Sequence, residues 1–587
     1  MRKSITAALI FVILAVSLCA CGAQGRPATA TEDKDFQKVF NYLEEGEYLK
    51  AQEFFGKNIT GNLEKEEAAW EEFYSYKNAV LQDMSSGNLS LDEATSIYEA
   101  GIKAGFETYF SDFETQLNAM QNSMVCFDDG INCFNSADYE NAYLNLEQVL
   151  PQDVNYGEAL ETIYQIAMET ADSESVDELL LSEKCLQLIK NSSENYVVSE
   201  LEDNGEIKLT QLLHDVSLKS AAMLQADRRT LFAAAQYANA AGYSTHLQTL
   251  TEDAQGWAEA MTDELNEYAK LIREWNTLAK EDFEESYYIL KETGIVTQGE
   301  SPSFKTTRDD YIQLVLMGWW GWDTRMAYGI IDELGTARFG ISDSATDYID
   351  WVELTSDSWR NTGAWHLPIK VFLDQGSDSP NAIVLYSDGA MDIYSTDLPA
   401  SYYELQNYDD VLDFISIYNE EFAILTKSGQ VHCTSGIWWL DLSGWEGITE
   451  ITVGTASPAG YSASYAFSAD DYIYGLDKNG NIYYTQILTE SKSDRIPENG
   501  VFVLSEDTVV KIAGSAYLTQ TGVLGSVEET LNDWLMENYG NYKFASIAKA
   551  NPGDGNYQSS DVIAATTMDG EVFIIDLYKA RNSLLNL

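Results

Sequence analysis

The chain has 587 residues, 45% of them hydrophobic and 12% aromatic. It is too long for one core and too apolar to be a disordered chain, so two or more folded domains are expected. Its formal net charge of −59 is global: residues 31–300 carry 53 acidic and 17 basic residues, and residues 301–587 carry 41 and 15. A field of that sign repels nucleic acid and anionic lipid, which excludes DNA and RNA binding and leaves basic partners, cations or plain solubility as its use.

At the N-terminus, Arg2 and Lys3 precede an apolar run from about Ala7 to Val16, followed by Leu18-Cys19-Ala20-Cys21-Gly22. A short basic start, an apolar stretch too short to span a bilayer and small residues before a cut site have the form of a secretory signal, residues 1–20. The Leu-x-Ala-Cys ending resembles the lipobox of bacterial lipoproteins. That resemblance implies lipidation at Cys21 and an extracytoplasmic protein anchored by lipid to the bacterial cell membrane, at the cell surface. An ordinary signal peptide cut after Ala20 is the alternative. Residues 21–32, small and polar after Cys21, read as a flexible tether.

Residues 33–293 carry helical signals. Phe36, Val39, Phe40 and Leu43 follow the spacing of an amphipathic stripe, and Gly46 ends it before Tyr48, Ala51 and Phe55 begin another. A related arrangement recurs at Tyr139, Ala142, Leu146, Val149 and Leu150, closed by Pro151. A weaker one follows Gly87 at Ala94 and Tyr98, where Ser90 and Glu93 form a capping box. A turn, an aromatic, a small residue three later and a closing Pro resemble tetratricopeptide-like (TPR-like) repeats, though the spacing is irregular. The resemblance implies a stack of helical hairpins used as a binding platform; a plain helical bundle is the alternative. Arg228–Ala241 and Trp257–Leu290 extend the helices. Apart from the signal and Cys21, the cysteines are Cys126, Cys133, Cys185 and Cys433. Cys126 and Cys133, seven apart, are too distant to bridge on a continuous helix, unless Gly130 breaks it; two buried free thiols are the default.

Residues 294–305, with Gly, Ser and Pro and no periodicity, read as a linker. From 306 to 587 the pattern changes to period two. An apolar strand, a polar turn and a second strand recur around Gly335, Gly389, Gly429, Gly480, Gly522 and Gly570, at intervals of 54, 40, 51, 42 and 48 residues. The turn glycines supply the positive φ that tight hairpins need. Upstream strands are expected at Tyr311–Leu314, Tyr348–Val352, Val411–Ile415, Trp445–Ile451, Val509–Ile512 and Tyr542–Ile547. Six such units are the pattern of a β-propeller; a seventh would lie within Asp357–Ser379 or be completed across the termini. An aromatic strand, an Ile-x-x-Ile segment and a hairpin ending in Asp-Gly, best seen at Trp445–Gly454 and Tyr472–Tyr484, resemble the RCC1-like (regulator of chromosome condensation-like) propellers. That family generally acts through protein contacts. The Gly-His pair of the family is missing from these copies. A pair of sandwiches or another propeller type is the alternative. The expected architecture is therefore multidomain, helical TPR-like repeats followed by a β-propeller of six or seven blades.

The chemistry-bearing residues form no motif. His214, His246, His366 and His432 lie at no metal-ligand spacing, and adjacent His432 and Cys433 fall on one strand and face opposite ways. No nucleophile elbow, phosphate loop or dinucleotide fingerprint occurs. Asp477-Lys478-Asn479-Gly480-Asn481 has the look of a calcium loop but reads better as a hairpin turn. The local oddity is Trp319, Trp320 and Trp322, with Trp359, Trp365, Trp438 and Trp439 further on. Exposed Trp stacks on sugars or anchors protein contacts; blade packing is the other use. The expectation is a tethered recognition or scaffold protein with a protein partner, no enzyme, and no cofactor or metal. The alternative is a carbohydrate-binding protein or glycan-active enzyme working on the propeller face.

Overall fold

The computed structural model describes residues 33–227, 229–276, 311–318, 326–332, 335–342, 349–353, 367–374, 381–394, 404–405, 407–408, 410–418, 421–434, 440, 442, 444–455, 471–487, 499–549 and 561–584. A helical region is followed by small antiparallel sheets. The chain divides into two compact units between Val216 and Ser217. The linker expected at 294–305 lies outside the described residues.

The first unit holds α1 (Lys34–Glu44), α2 (Tyr48–Asn58), α3 (Leu63–Ser85), α4 (Leu91–Lys103), α5 (Glu107–Phe110), α6 (Phe113–Asn135), α7 (Tyr139–Leu146), α8 (Tyr156–Thr170) and α9 (Val176–Ser192). The unit ends within α10 (Gly205–Ala226). The predicted stripe of α1 is buried, with Phe40 stacked on Tyr76 at 4.1 Å and edge-on to Phe73 at 5.1 Å. The backbone takes positive φ at all three expected hairpin turns, 72° at Gly46, 71° at Gly87 and 59° at Ala137, as it also does at Gly61, Gly105 and Asn204 of the same unit. Ala51, Ala94 and Ala142 are fully buried, the condition for close helix approach. The capping box forms, with the Glu93 N–H donating to Ser90 Oγ and the Ser90 N–H to Glu93 Oε2. Gly130 does not break its helix. A Cβ there would stand 2.6 Å from Leu146 Cγ, so the glycine makes room for α7 against an unbroken α6. Cys126 and Cys133 therefore stay unpaired on that helix, half-buried rather than buried as expected.

In the second unit the rest of α10 is followed by an antiparallel pair, α11 (Thr230–Leu250) and α12 (Ala254–Asn276). Ala233, Ala234, Ala235, Ala238, Ala240 and Ala241 of α11 are fully buried, so the two helices pack closely. Six sequential meanders follow. They are β1 (Tyr311–Gly318) to β4 (Ile349–Glu353) through β2 (Met326–Asp332) and β3 (Ala337–Ser342), then β5 (Pro368–Asp374), β6 (Asn381–Tyr386) and β7 (Met391–Tyr394). The third is β8 (Val411–Tyr418), β9 (Glu421–Thr426) and β10 (Val431–Cys433). The fourth runs through β11 (Ile448–Gly454), β12 (Asp471–Asp477), β13 (Ile482–Ile487) and β14 (Asn499–Phe502). The last two are β15 (Val509–Ala513), β16 (Ala516–Thr519), β17 (Leu524–Ser526), and β18 (Phe544–Lys549), β19 (Val562–Thr567), β20 (Val572–Asp576). Helices α13 (Glu529–Tyr539) and α14 (Leu577–Leu584) flank the final sheet.

Each predicted hairpin is present at its glycine. One upstream strand is corrected: of the segment expected at Tyr348–Val352, residues 349–352 do not open the second sheet but belong to β4, paired to β3, and β5 takes its place. Five hairpins share a device. A side-chain oxygen three residues before the glycine accepts the N–H one residue after it: Asp332 from Thr336 at 2.8 Å, Thr426 from Gln430 at 3.2 Å, Asp477 from Asn481 at 2.8 Å, Thr519 from Val523 at 3.1 Å and Thr567 from Glu571 at 3.0 Å. The Asp and Thr side chains thereby fix the turn locally. Neighbouring sheets pack through their first strands, β1 on β5, β8 on β11, β11 on β15 and β15 on β18. Helix α12 packs on both β1 and β18.

Candidate functional site

All six first strands carry an irregularity of register at the same place, between Tyr311 and Gln313, Pro368 and Lys370, Val411 and Asp413, Ile448 and Glu450, Val509 and Lys511, and Phe544 and Ser546. A bulge re-aims the residue that follows it. Here that residue is polar every time, in strands that are mostly apolar. Gln313, Lys370, Asp413 and Glu450 are buried. Three of these side chains, Gln313, Lys370 and Glu450, reach the next sheet. Gln313 Oε1 accepts the Val371 N–H at 2.6 Å. Lys370 Nζ donates to Asp413 Oδ1 at 2.5 Å and to the Phe414 carbonyl at 2.6 Å, and lies 5.0 Å from the Phe414 ring. Glu450 Oε2 accepts the Ile512 N–H at 3.2 Å. Lys511 Nζ turns to α12, donating to the Trp275 carbonyl at 3.3 Å over the Trp275 ring. Tyr268 of the same helix donates to the Pro368 carbonyl at 2.5 Å.

Along the chain the layer runs Gln313, Lys370, Asp413, Glu450, Lys511 and Ser546, so two cations bracket two carboxylates. Burial pushes Glu450 up to about 7; Lys511 and the Ile512 N–H oppose that, and Asp413 adds to it. A carboxyl that titrates near neutrality has the proton affinity of a general acid or base. Its bond, however, is to backbone of the adjoining sheet, and the layer acts as a set of polar staples between sheets.

A second buried cluster joins the last three sheets. Asp561 Oδ2 accepts from the Thr455 N–H at 3.0 Å, Thr455 Oγ1 at 2.6 Å and Ser515 Oγ at 2.6 Å, and its Oδ1 accepts the Ser515 N–H at 2.7 Å. Arg581 of α14 donates to the Thr455 carbonyl at 2.5 Å and pairs with Glu528 at 2.7 Å. Among the described residues no histidine stands between Ser515 and Asp561, and both Asp561 oxygens are committed. The cluster is a lock rather than a nucleophile and its base.

The sequence candidates fall as follows. Cys21, Trp319, Trp320, Trp322, Trp359, Trp365, Trp438, Trp439 and His366 lie outside the described residues. His432 stands 5.4 Å from the Tyr408 ring, while burial pushes the neighbouring Cys433 thiol up to about 12, which keeps it protonated and unreactive. Asp477 is engaged by the Asn479 and Asn481 N–H groups of its own turn, as a hairpin requires. Among the described residues no group of three His, Cys, Asp or Glu side chains is placed to hold a metal ion, and no helix is long and apolar enough to cross a membrane.

Sequence reasoning missed the polar layer, whose signal was a polar residue third in each mostly apolar first strand. It also missed Trp70 of α3, which is 56% exposed yet firmly seated. Its ring meets Tyr109 of α5 at 4.9 Å, and Tyr109 stacks on the buried Phe73 at 4.4 Å. Comparison with family models, with curated proteins and with solved structures returns no match to this chain.

Proposed function

We propose that the protein is a membrane-tethered recognition or scaffold lipoprotein. Cys21 carries the lipid, TPR-like helical hairpins and an RCC1-like propeller of six or seven blades form the folded part, and a protein partner binds to repeat surfaces and propeller loops. The observation that carries this reading is the Trp70–Tyr109 pair, a large exposed aromatic held in one orientation by a stack rooted in the helical core. A pre-ordered Trp loses little side-chain freedom on binding, which is the property of an interface anchor. Support for the repeats comes from the three positive-φ hairpin turns, and support for the propeller from six consecutive meanders packed first strand to first strand.

The anchor is tested by metabolic acyl labelling and membrane fractionation of Cys21→Ala in the full-length chain. Loss of label and of membrane association is expected; label and sedimentation equal to wild type would remove lipidation at Cys21. Crosslinking at the native cell surface tests recognition, with one saturable protein partner as the expected result.

A further inference from the structure

Four side chains converge around Trp70. Counting along α3, Leu63, Glu66, Glu67 and Tyr74 fall within about a third of a turn of it, since residues three, four and seven apart share a helix face. Leu63 is 76% exposed. Glu66 and Glu67 are exposed too, and Glu107 lies two residues before Tyr109 on α5. Burial raises the Tyr109 hydroxyl, and the Glu66 charge raises it further, so that carboxylate acts on the aromatic pair. The cations on α3 are turned elsewhere: Lys65 pairs with Asp35 at 2.5 Å and Asp33 at 3.4 Å, and Lys77 with Asp112 at 2.9 Å. Residues 33–216 as a whole carry 38 acidic and 10 basic residues.

We infer that this face docks a basic polypeptide segment of the partner, with a Lys or Arg side chain over the Trp70 ring and its charge met by Glu66 and Glu67. The inference rests on the recognition reading above and names its partner's chemistry. An aromatic face attracts a cation through its quadrupole, and Arg adds stacking. Acidic groups at the rim steer such a segment in and reject acidic ones. The apolar contact offered by Leu63 suits the aliphatic stem of the same side chains.

The test is fluorescence anisotropy of a labelled hexa-arginine peptide titrated with the detergent-solubilised full-length protein at 0.15 M NaCl. Saturable binding is expected, weakened at least fivefold by Trp70→Ala and much less by Trp70→Phe. Tyr542→Ala, which removes an exposed aromatic from the other unit without changing charge, is the control and leaves affinity unchanged. Equal affinity of Trp70→Ala and wild type would overturn the inference, because attraction would then come from diffuse negative charge. A neutral oligosaccharide that binds wild type and is lost in Trp70→Ala, with no peptide binding, would overturn the occupant. A native crosslinked partner retained undiminished by Trp70→Ala would remove this face while leaving recognition standing; no saturable crosslink in wild type would sink recognition itself.

Discussion

Glu450 illustrates what a single buried carboxyl does to a strand. It is 7% exposed, follows the bulge in β11, and holds the Ile512 N–H of the next sheet. In the unfolded chain it titrates near 4.3. Its folded value is raised, so between about 4.3 and about 7 the folded state keeps a proton that the unfolded state has released. This contribution to stability is complete below the lower value and is lost as pH rises through the upper one. Removing the charge removes the loss. Glu450→Gln should therefore gain on wild type as pH rises from 5 to 8, by on the order of 2 kcal/mol in unfolding free energy, and run parallel to it above pH 8. Urea unfolding of both proteins at four pH values measures the difference; a constant offset would mean that Glu450 ionises as it does in water.

The hairpin glycines act between elements. Gly429, Gly522 and Gly570 all have φ between 81° and 86°. The Gly429 carbonyl accepts the Ile448 N–H of the following sheet at 3.0 Å, and the Gly522 carbonyl accepts the Phe544 N–H at 2.9 Å. A Cβ would meet Gly447 Cα at 2.9 Å in the first case and the Phe544 carbonyl at 2.9 Å in the second; at Gly570 it would meet nothing. All three alanine variants suffer left-handed strain of about 1–2 kcal/mol. Gly429→Ala and Gly522→Ala should lose roughly 2 kcal/mol more, because backbone cannot yield as a side chain does. Thermal melts of the three variants decide it, and a Gly570→Ala loss equal to the others would refute the account. These turns were legible because positive φ and a polar turn leave marks in sequence. So were the buried stripe of α1 and the capping box of α4. The second sheet was not: β5 begins with Pro368 and carries Lys370 at its centre, whereas Tyr348–Val352 reads equally well as a first or a fourth strand. Register bulges leave no signature of their own, and a charged residue in an apolar strand reads as a solvent face until the neighbouring sheet is seen to receive it. Trp70 was hidden for the opposite reason, since a Trp on a helical stripe is indistinguishable from core.

For the whole molecule, the surplus of acid dominates. Against 94 Asp and Glu there are 35 Lys and Arg, and several of the described cations are committed to local or buried pairs such as Lys370–Asp413 and Arg581–Glu528. Many carboxylates therefore face other carboxylates, and compaction brings them together. Screening relieves this: the Debye length falls from about 30 Å at 0.01 M to about 8 Å at 0.15 M ionic strength. The thermal midpoints should rise by several degrees over that range at pH 7.5, and the rise should be followed for each transition separately, because a chain of two compact units need not melt in one step. Screening depends on ionic strength and not on ion identity. Sodium chloride and choline chloride at equal ionic strength should therefore stabilise equally. A fall in the midpoints would mean that attractive ion pairs outweigh the repulsion. A rise with sodium alone would replace diffuse screening by a specific cation site.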